Sequence, residues 1–280
     1  MLTFTPHWFD HSQGSRVLMP VAAVMVLTGA CVKALPLQST EREADSLSLH
    51  IDAPRPYGHL DVFIYSDTLT KALESHWRCD SARTLRLPCG KGDKIIVALA
   101  DVRGEFGEKL PATYDAMENI SMDYAGEDPS SPFQSGFYYV QGPRVADLRL
   151  SPLLCSINIG SISLQGDAPL CAPVLSLRHV SAAFPILRQD GFHPSHTLDG
   201  PDGLDFPLMM LRSLPFDIAS VPQQAGITLY CYPNEDEAGP GGGGTELVVS
   251  GYYLKELREF YIPLGNIKRG GCIYIDVKLE

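Results

Sequence analysis

The stretch CIYIDVKL, Cys272–Leu279, alternates without a break: Ile273, Ile275, Val277 and Leu279 take one parity, Tyr274, Asp276 and Lys278 the other. Strand side chains point to opposite faces in turn, so this pattern is that of a half-buried strand. Its regularity predicts a closing strand paired deeply in a sheet. The same test carries upstream. In residues 147–164, Ile157 and Ile159 share one parity while Ile162 and Leu164 share the other. The apolar face switches near Gly160, which predicts a β-bulge there. Residues 94–100 (KIIVALA) form a nearly continuous apolar run, as expected of a strand covered on both faces. Further strands are predicted at 46–52, where Leu47, Leu49 and Ile51 alternate, and at 60–65 (LDVFIY), 84–88, 137–140, 174–187, 227–232, 245–253 and 259–264.

Helix is scarce. Residues 111–122 carry the best signal: Thr113 as a cap, Asp115 and Glu118 near the positive end, and Ala116, Met117 and Ile120 as an apolar stripe. Residues 125–135 and 191–208 read as loops, and 233–244, with four acids or amides followed by a glycine tract, as a mobile acidic tip. Short strands, frequent turns and one short helix define a mainly β chain of the β-sandwich kind. The 280 residues suit two sandwiches better than one, joined near residues 141–148. The resulting division is 46–145 for an N-terminal β-sandwich and 146–280 for a C-terminal one.

The N-terminus sets the compartment. Arg16 precedes residues 17–28, twelve residues without a charge, and then the small residues Gly29 and Ala30. Charge, short apolar core and small residues make a secretory signal. The run is too short to span a bilayer, which takes roughly 20 apolar residues. Residues 1–30 are therefore read as a signal peptide. The TGAC end at 28–31 resembles a bacterial lipobox, with Leu27 one place further out. That resemblance implies cleavage before Cys31, acylation of Cys31, and a lipidated tether over 31–45. The long leader before Arg16 carries Asp10 and leaves the true start open.

Net charge is −11, and Asp10 and Arg16 cancel within the leader, so its loss leaves the balance unchanged. An acidic chain without a basic cluster is a poor match for nucleic acid, whose binding rests on Lys and Arg. Cys79, Cys89, Cys155, Cys171, Cys231 and Cys272 remain beside Cys31. An even number outside the cytoplasm permits disulfides, and Cys79 with Cys89 could close a hairpin; buried free thiols fit equally well.

Several pieces, taken in order, resemble the Bacteroidales fimbrial lipoproteins, the fimbrilin-type subunits and their minor, anchoring and tip relatives. They are the lipoprotein signal; LDVFIY at 60–65; LRLP at 85–88 followed by the apolar run to Ala100, with Asp101 where the family has Asn; LSPLLCSINI at 150–159; YCYPN at 230–234; TELVVSGYY at 245–253; FYIPLG at 260–265; and IKRGGCIYIDV at 267–277. The family's Arg-Asn before the last strand is here Arg269-Gly270, and the stretch after Arg149 has no Lys. The likeness covers most of 45–280. It implies two tandem transthyretin-like β-sandwich domains and a role in fimbria assembly or anchoring at the outer membrane, with other fimbrial subunits as partners. Polymerising members are trimmed by a protease after export, which frees a groove for a donated strand. A retained lipid favours an anchoring or accessory role.

No motif for catalysis emerges. Pro194 spoils helical pairing of His193 and His196, and Asp199, Asp202 and Asp205 lack the EF-hand order and its closing Glu. The glycine tract near 240 has no Lys-Ser/Thr, and no GxSxG is present. No metal, cofactor or catalytic residue is expected. Two rival readings remain: a glycan-binding surface lipoprotein using Trp77, Tyr138, Tyr139, Tyr252 and Tyr253, and a hydrolase using scattered acids such as Asp123, Glu127 and Asp128.

Overall fold

A computed structural model describes residues 45–102, 110–142, 145–199, 207–237, 239 and 242–280. The signal peptide, Cys31, most of the tether, Asp202 and Asp205 lie outside the described residues. The first strands are β1 (Asp45–Asp52), β2 (His59–Ser66), β3 (Leu73–Asp80), β4 (Thr84–Cys89) and β5 (Lys94–Ala100). A short helix α1 (Tyr114–Glu118) precedes β6 (Ser121–Asp123), β7 (Gln134–Val140), β8 (Val145–Arg149) and β9 (Ser151–Pro152). Then come β10 (Cys155–Leu164), β11 (Leu170–Ser181), β12 (Ala183–Pro185), β13 (Thr197–Asp199), β14 (Leu211–Ser213), β15 (Gln223–Cys231), β16 (Glu246–Tyr253), β17 (Glu256–Pro263) and β18 (Cys272–Leu279). The chain is mainly β, as expected.

β5 is buried along its whole length because it lies between β2 and β7 in the five-stranded sheet β3-β2-β5-β7-β9. Its two parities serve two cores. Ile96, Ala98 and Ala100 join Leu60, Val62 and Ile64 of β2 against Leu47, Leu49, Leu85, Leu87, Ala146 and Leu148 of the three-stranded sheet β4-β1-β8. Ile95, Val97 and Leu99 face the other way, with Phe63, Tyr65, Tyr114 and Phe133. That second core runs on into the sheets β15-β10-β18 and β13-β11-β16-β17. Ile157 and Ile159 of β10, Leu175 and Leu177 of β11, and Leu247 and Val249 of β16 fill it. Apolar rows enclosed between sheet layers make the β-sandwich arrangement. β8 pairs parallel with β1, and β9 pairs with β7, so the chain stays among the strands of its first half through Pro152.

The bulge falls where the parity switch places it. β10 shifts register after Ile159 against both β15 and β18, so Ile157, Ile159, Ile162 and Leu164 are all buried. A Cβ at Gly160 would stand 2.8 Å from Asp276 Oδ1. That same carboxylate oxygen accepts from Ser161 N at 2.7 Å and Ser161 Oγ at 2.6 Å.

Four local expectations need correction. β18 keeps its alternation but, among the described strands, lies at the edge of its sheet and pairs only with β10, and Ile273 and Ile275 are half-buried. The helix covers only Tyr114–Glu118; Thr113 Oγ1 does accept from Ala116 N at 3.2 Å, but residues 121–123 leave to pair with β12. β3 was not expected, because LESHWRCD has no apolar alternation; it forms by pairing along β2. The start of the acidic tip is tied down. Asn234 is fully buried, and its Nδ2 donates to His179 O and Gly243 O, both at 2.8 Å.

Candidate functional site

The feature with functional content is the position of β1. It is the first described segment of the chain, yet it is the middle strand of its sheet. Leu47 and Leu49 stand opposite Leu87 and Leu85 of antiparallel β4, while residues 48–52 pair in parallel with β8. Leu47, Leu49 and Ile51 point into the core, and Ser46 and His50 point out, where they meet Arg86 and Thr84. Burial of such a side chain contributes about 1.5–3 kcal/mol. β1 therefore fills an apolar slot between two strands that do not pair with each other.

The link from β1 to β2 is short and pinned. Pro54 and Pro56 flank Arg55. Gln134 Nε2 donates to Arg55 O at 3.2 Å, Tyr57 Oη to Ala82 O at 2.6 Å, and Asp101 Oδ1 accepts from Gly58 N at 2.8 Å.

A second feature ties the two halves together. Arg269, in the turn before β18, donates to the carbonyl oxygens of Ser135, Ser151, Pro152, Ile186 and Arg188 and to the Ser135 hydroxyl. Burial pushes its guanidinium pKa down to about 10, so it stays charged at physiological pH.

The remaining predicted residues are dispersed. Cys79 and Cys89 are both buried in the core beneath β1, on edge strands of the two facing sheets. His193 Nδ1 lies 2.6 Å from Asp236 Oδ1, and His196 is exposed. Asp123 caps a 3-10 turn through Ala125 N, Glu127 accepts from Phe133 N, and Asp128 accepts from Ser130. Each of these acids thus meets a local backbone need. Tyr138 and Tyr139 are exposed neighbours on one strand and so face opposite ways, while Tyr252 and Tyr253 belong to a different sheet. Trp77 is half-buried, with Nε1 donating to Ser75 Oγ. An open depression of about 530 Å³ lies at the end of β18, lined by Ser163, Gln165, Asp167, Ser220, Lys278 and Glu280. Among the described residues there is no group of three or more metal-ligating side chains, and no helix long and apolar enough to cross a membrane.

The fold of the described residues is similar to that of solved fimbrilins and cell adhesion proteins of Bacteroidales. Among the solved structures similar to it is a candidate cell adhesion protein from Bacteroides eggerthii, with a TM-score of 0.61 at 12% identity, covering 85% of this chain and 89% of that one. A fimbrilin from Porphyromonas gingivalis W83 matches with a TM-score of 0.53 at 11% identity, over 75% of this chain and 72% of that one. A fimbrial assembly protein from Parabacteroides distasonis matches with a TM-score of 0.50 at 15% identity, over 83% and 90%. No family model and no curated protein matches the sequence.

Proposed function

We propose that this chain is a non-catalytic fimbrial subunit of the cell surface, an accessory or anchoring component that pairs with other subunits by β-strand addition. The carrying observation is β1, the first described strand, seated in the middle of a sheet, in the kind of slot that strand addition fills. Main-chain hydrogen bonds supply affinity in such pairing, and alternating side-chain pockets set the register. Removal of β1 would open the slot; its retention keeps the slot closed and suits a terminal or anchoring subunit. The link after β1 favours retention. Endoproteases bind extended substrate through backbone N–H groups, and Pro54 and Pro56 remove two of these around Arg55. With β1 in place, the open edge of β18 is the pairing surface this reading assigns.

The rest of the reading follows the same logic. Residues 1–30 are the signal peptide, Cys31 carries the lipid, and the tether leads to two sandwich domains at the outer membrane. The strands at 145–152 are counted with the first domain. Cys79 and Cys89 are assigned to each other, since both lie in one core on the two sheets that face across it. The net charge of −11 disfavours nucleic acid as a partner.

The test is the intact mass of the protein extracted from its native envelope, with subunits captured by mild cross-linking. A species starting at Cys31 with added acyl mass, cross-linked to fimbrial subunits, is the expected result. An unacylated chain starting beyond residue 52 would make it a trimmed, polymerising subunit and overturn the anchoring role.

A further inference from the structure

Cys155 opens β10 and Cys231 closes β15, and the two are direct partners in the antiparallel register. Residues opposed in this way have Cα atoms about 4.5–5.5 Å apart and side chains on one face. A disulfide needs about 4.4–6.8 Å between Cα atoms. Both cysteines are fully buried in the same core. The other described cysteines stand opposite different residues: Cys79 opposite Leu60, Cys89 opposite Asp45, Cys171 opposite Tyr252 and Cys272 opposite Ser156. We propose that Cys155 and Cys231 form a structural disulfide in the mature protein, closing β10 onto β15.

This inference rests on the exported reading, because the bond needs an oxidant. Each thiol loses its proton, the two sulfurs form one bond, and the two electrons pass to a disulfide-bearing thiol oxidoreductase or small-molecule disulfide, which leaves as thiols. The core tolerates the change. The Cys155 thiol donates to Lys268 O at 2.8 Å, but that carbonyl also accepts from Gly271 N at 2.9 Å, so losing the S–H leaves it satisfied. Burial pushes the Cys155 thiol up to about 12 and raises the Cys231 thiol well above its ordinary value, so neither is a nucleophile once enclosed. The bond therefore forms while β15 docks onto β10, and the closed core then shields it from reductants.

The experiment refolds the reduced full chain in a glutathione redox buffer, alkylates remaining thiols in acid, and maps peptides without reduction. The expected product joins the Cys155 and Cys231 peptides, and it persists in a Cys171→Ser/Cys272→Ser variant. Alkylation of both residues, or their pairing with other cysteines, overturns the proposal on geometric grounds. The same map is made on protein from the native envelope. Linkage after refolding but free thiols in the native sample overturns the disulfide in the mature protein and locates the failure in the exported reading instead.

Discussion

Arg269 holds Ser135 from 134 positions away. Its Nη2 donates to the Ser135 carbonyl oxygen at 2.8 Å and to the hydroxyl at 2.6 Å. The same head group reaches Ser151 and Pro152 on one side and Ile186 and Arg188 on the other. A guanidinium carries five N–H donors in a planar fork, and no other side chain could serve so many carbonyls at once. β7 and β9 are thereby fixed to the turn that launches β18.

Arg269→Met should lower unfolding stability by about 3 kcal/mol or more, since buried carbonyls lose donors at about 1–3 kcal/mol each. Arg269→Lys should recover only part, because an ammonium has three donors and no fork. Urea unfolding followed by far-ultraviolet dichroism measures both. An unchanged midpoint for Arg269→Met would show that the contacts hold nothing together.

Leu49→Ala should cost about 2–5 kcal/mol through the cavity left beneath β1. His50→Ala, one residue on but facing outward, should stay within about 0.5 kcal/mol. Equal effects at the two positions in chemical denaturation would contradict the placement of β1.

Asn234→Asp keeps the shape of the side chain but replaces the donor that serves His179 O and Gly243 O. A carboxylate facing two buried carbonyls should destabilise by about 2 kcal/mol or more. Differential scanning calorimetry of the variant at neutral pH provides the check, with Asn234→Ala expected to be milder than Asp.

Asp276 reports on the bulge through pH. The Ser161 hydroxyl, then its N–H, hold the Asp276 carboxyl below the ordinary 3.8. The unfolded chain therefore binds this proton first as pH falls. The stabilisation is full above the ordinary value and is lost as pH drops through the folded value. The group is exposed, so the readout is local: the protection factor of the Ser161 amide, its exchange relative to an unstructured amide at the same pH, should fall as pH drops through the folded value, and should already be low at neutral pH in Asp276→Ala. A protection factor that ignores both changes would remove the cap.

Much of the local structure was legible in particular residues. The parity switch around Gly160 located the bulge, the apolar run from Ile95 to Ala100 announced a strand with two covered faces, and Thr113 marked the helix start. β3 escaped because its burial comes from pairing with β2 and from contacts of Trp77 and Cys79 with the core, with no periodic apolar row of its own. Part of the candidate site was legible too. Leu47, Leu49 and Ile51 declared a strand, but nothing in them placed it between β4 and β8. Arg269 stood out as a basic residue in a turn, while its carbonyl partners did not.

By itself the sequence determined which side chains are apolar, at what spacing, and so which face of each regularly alternating strand turns to the core. That follows from backbone geometry, which repeats every two residues wherever a strand occurs. Only the tertiary structure decided neighbours: that β1 is central while the equally regular β18 lies at an edge among the described strands, that Arg269 reaches Ser135, and that Cys155 meets Cys231. These pairings join segments far apart in the chain, and a period of two specifies a face without naming the strand beside it.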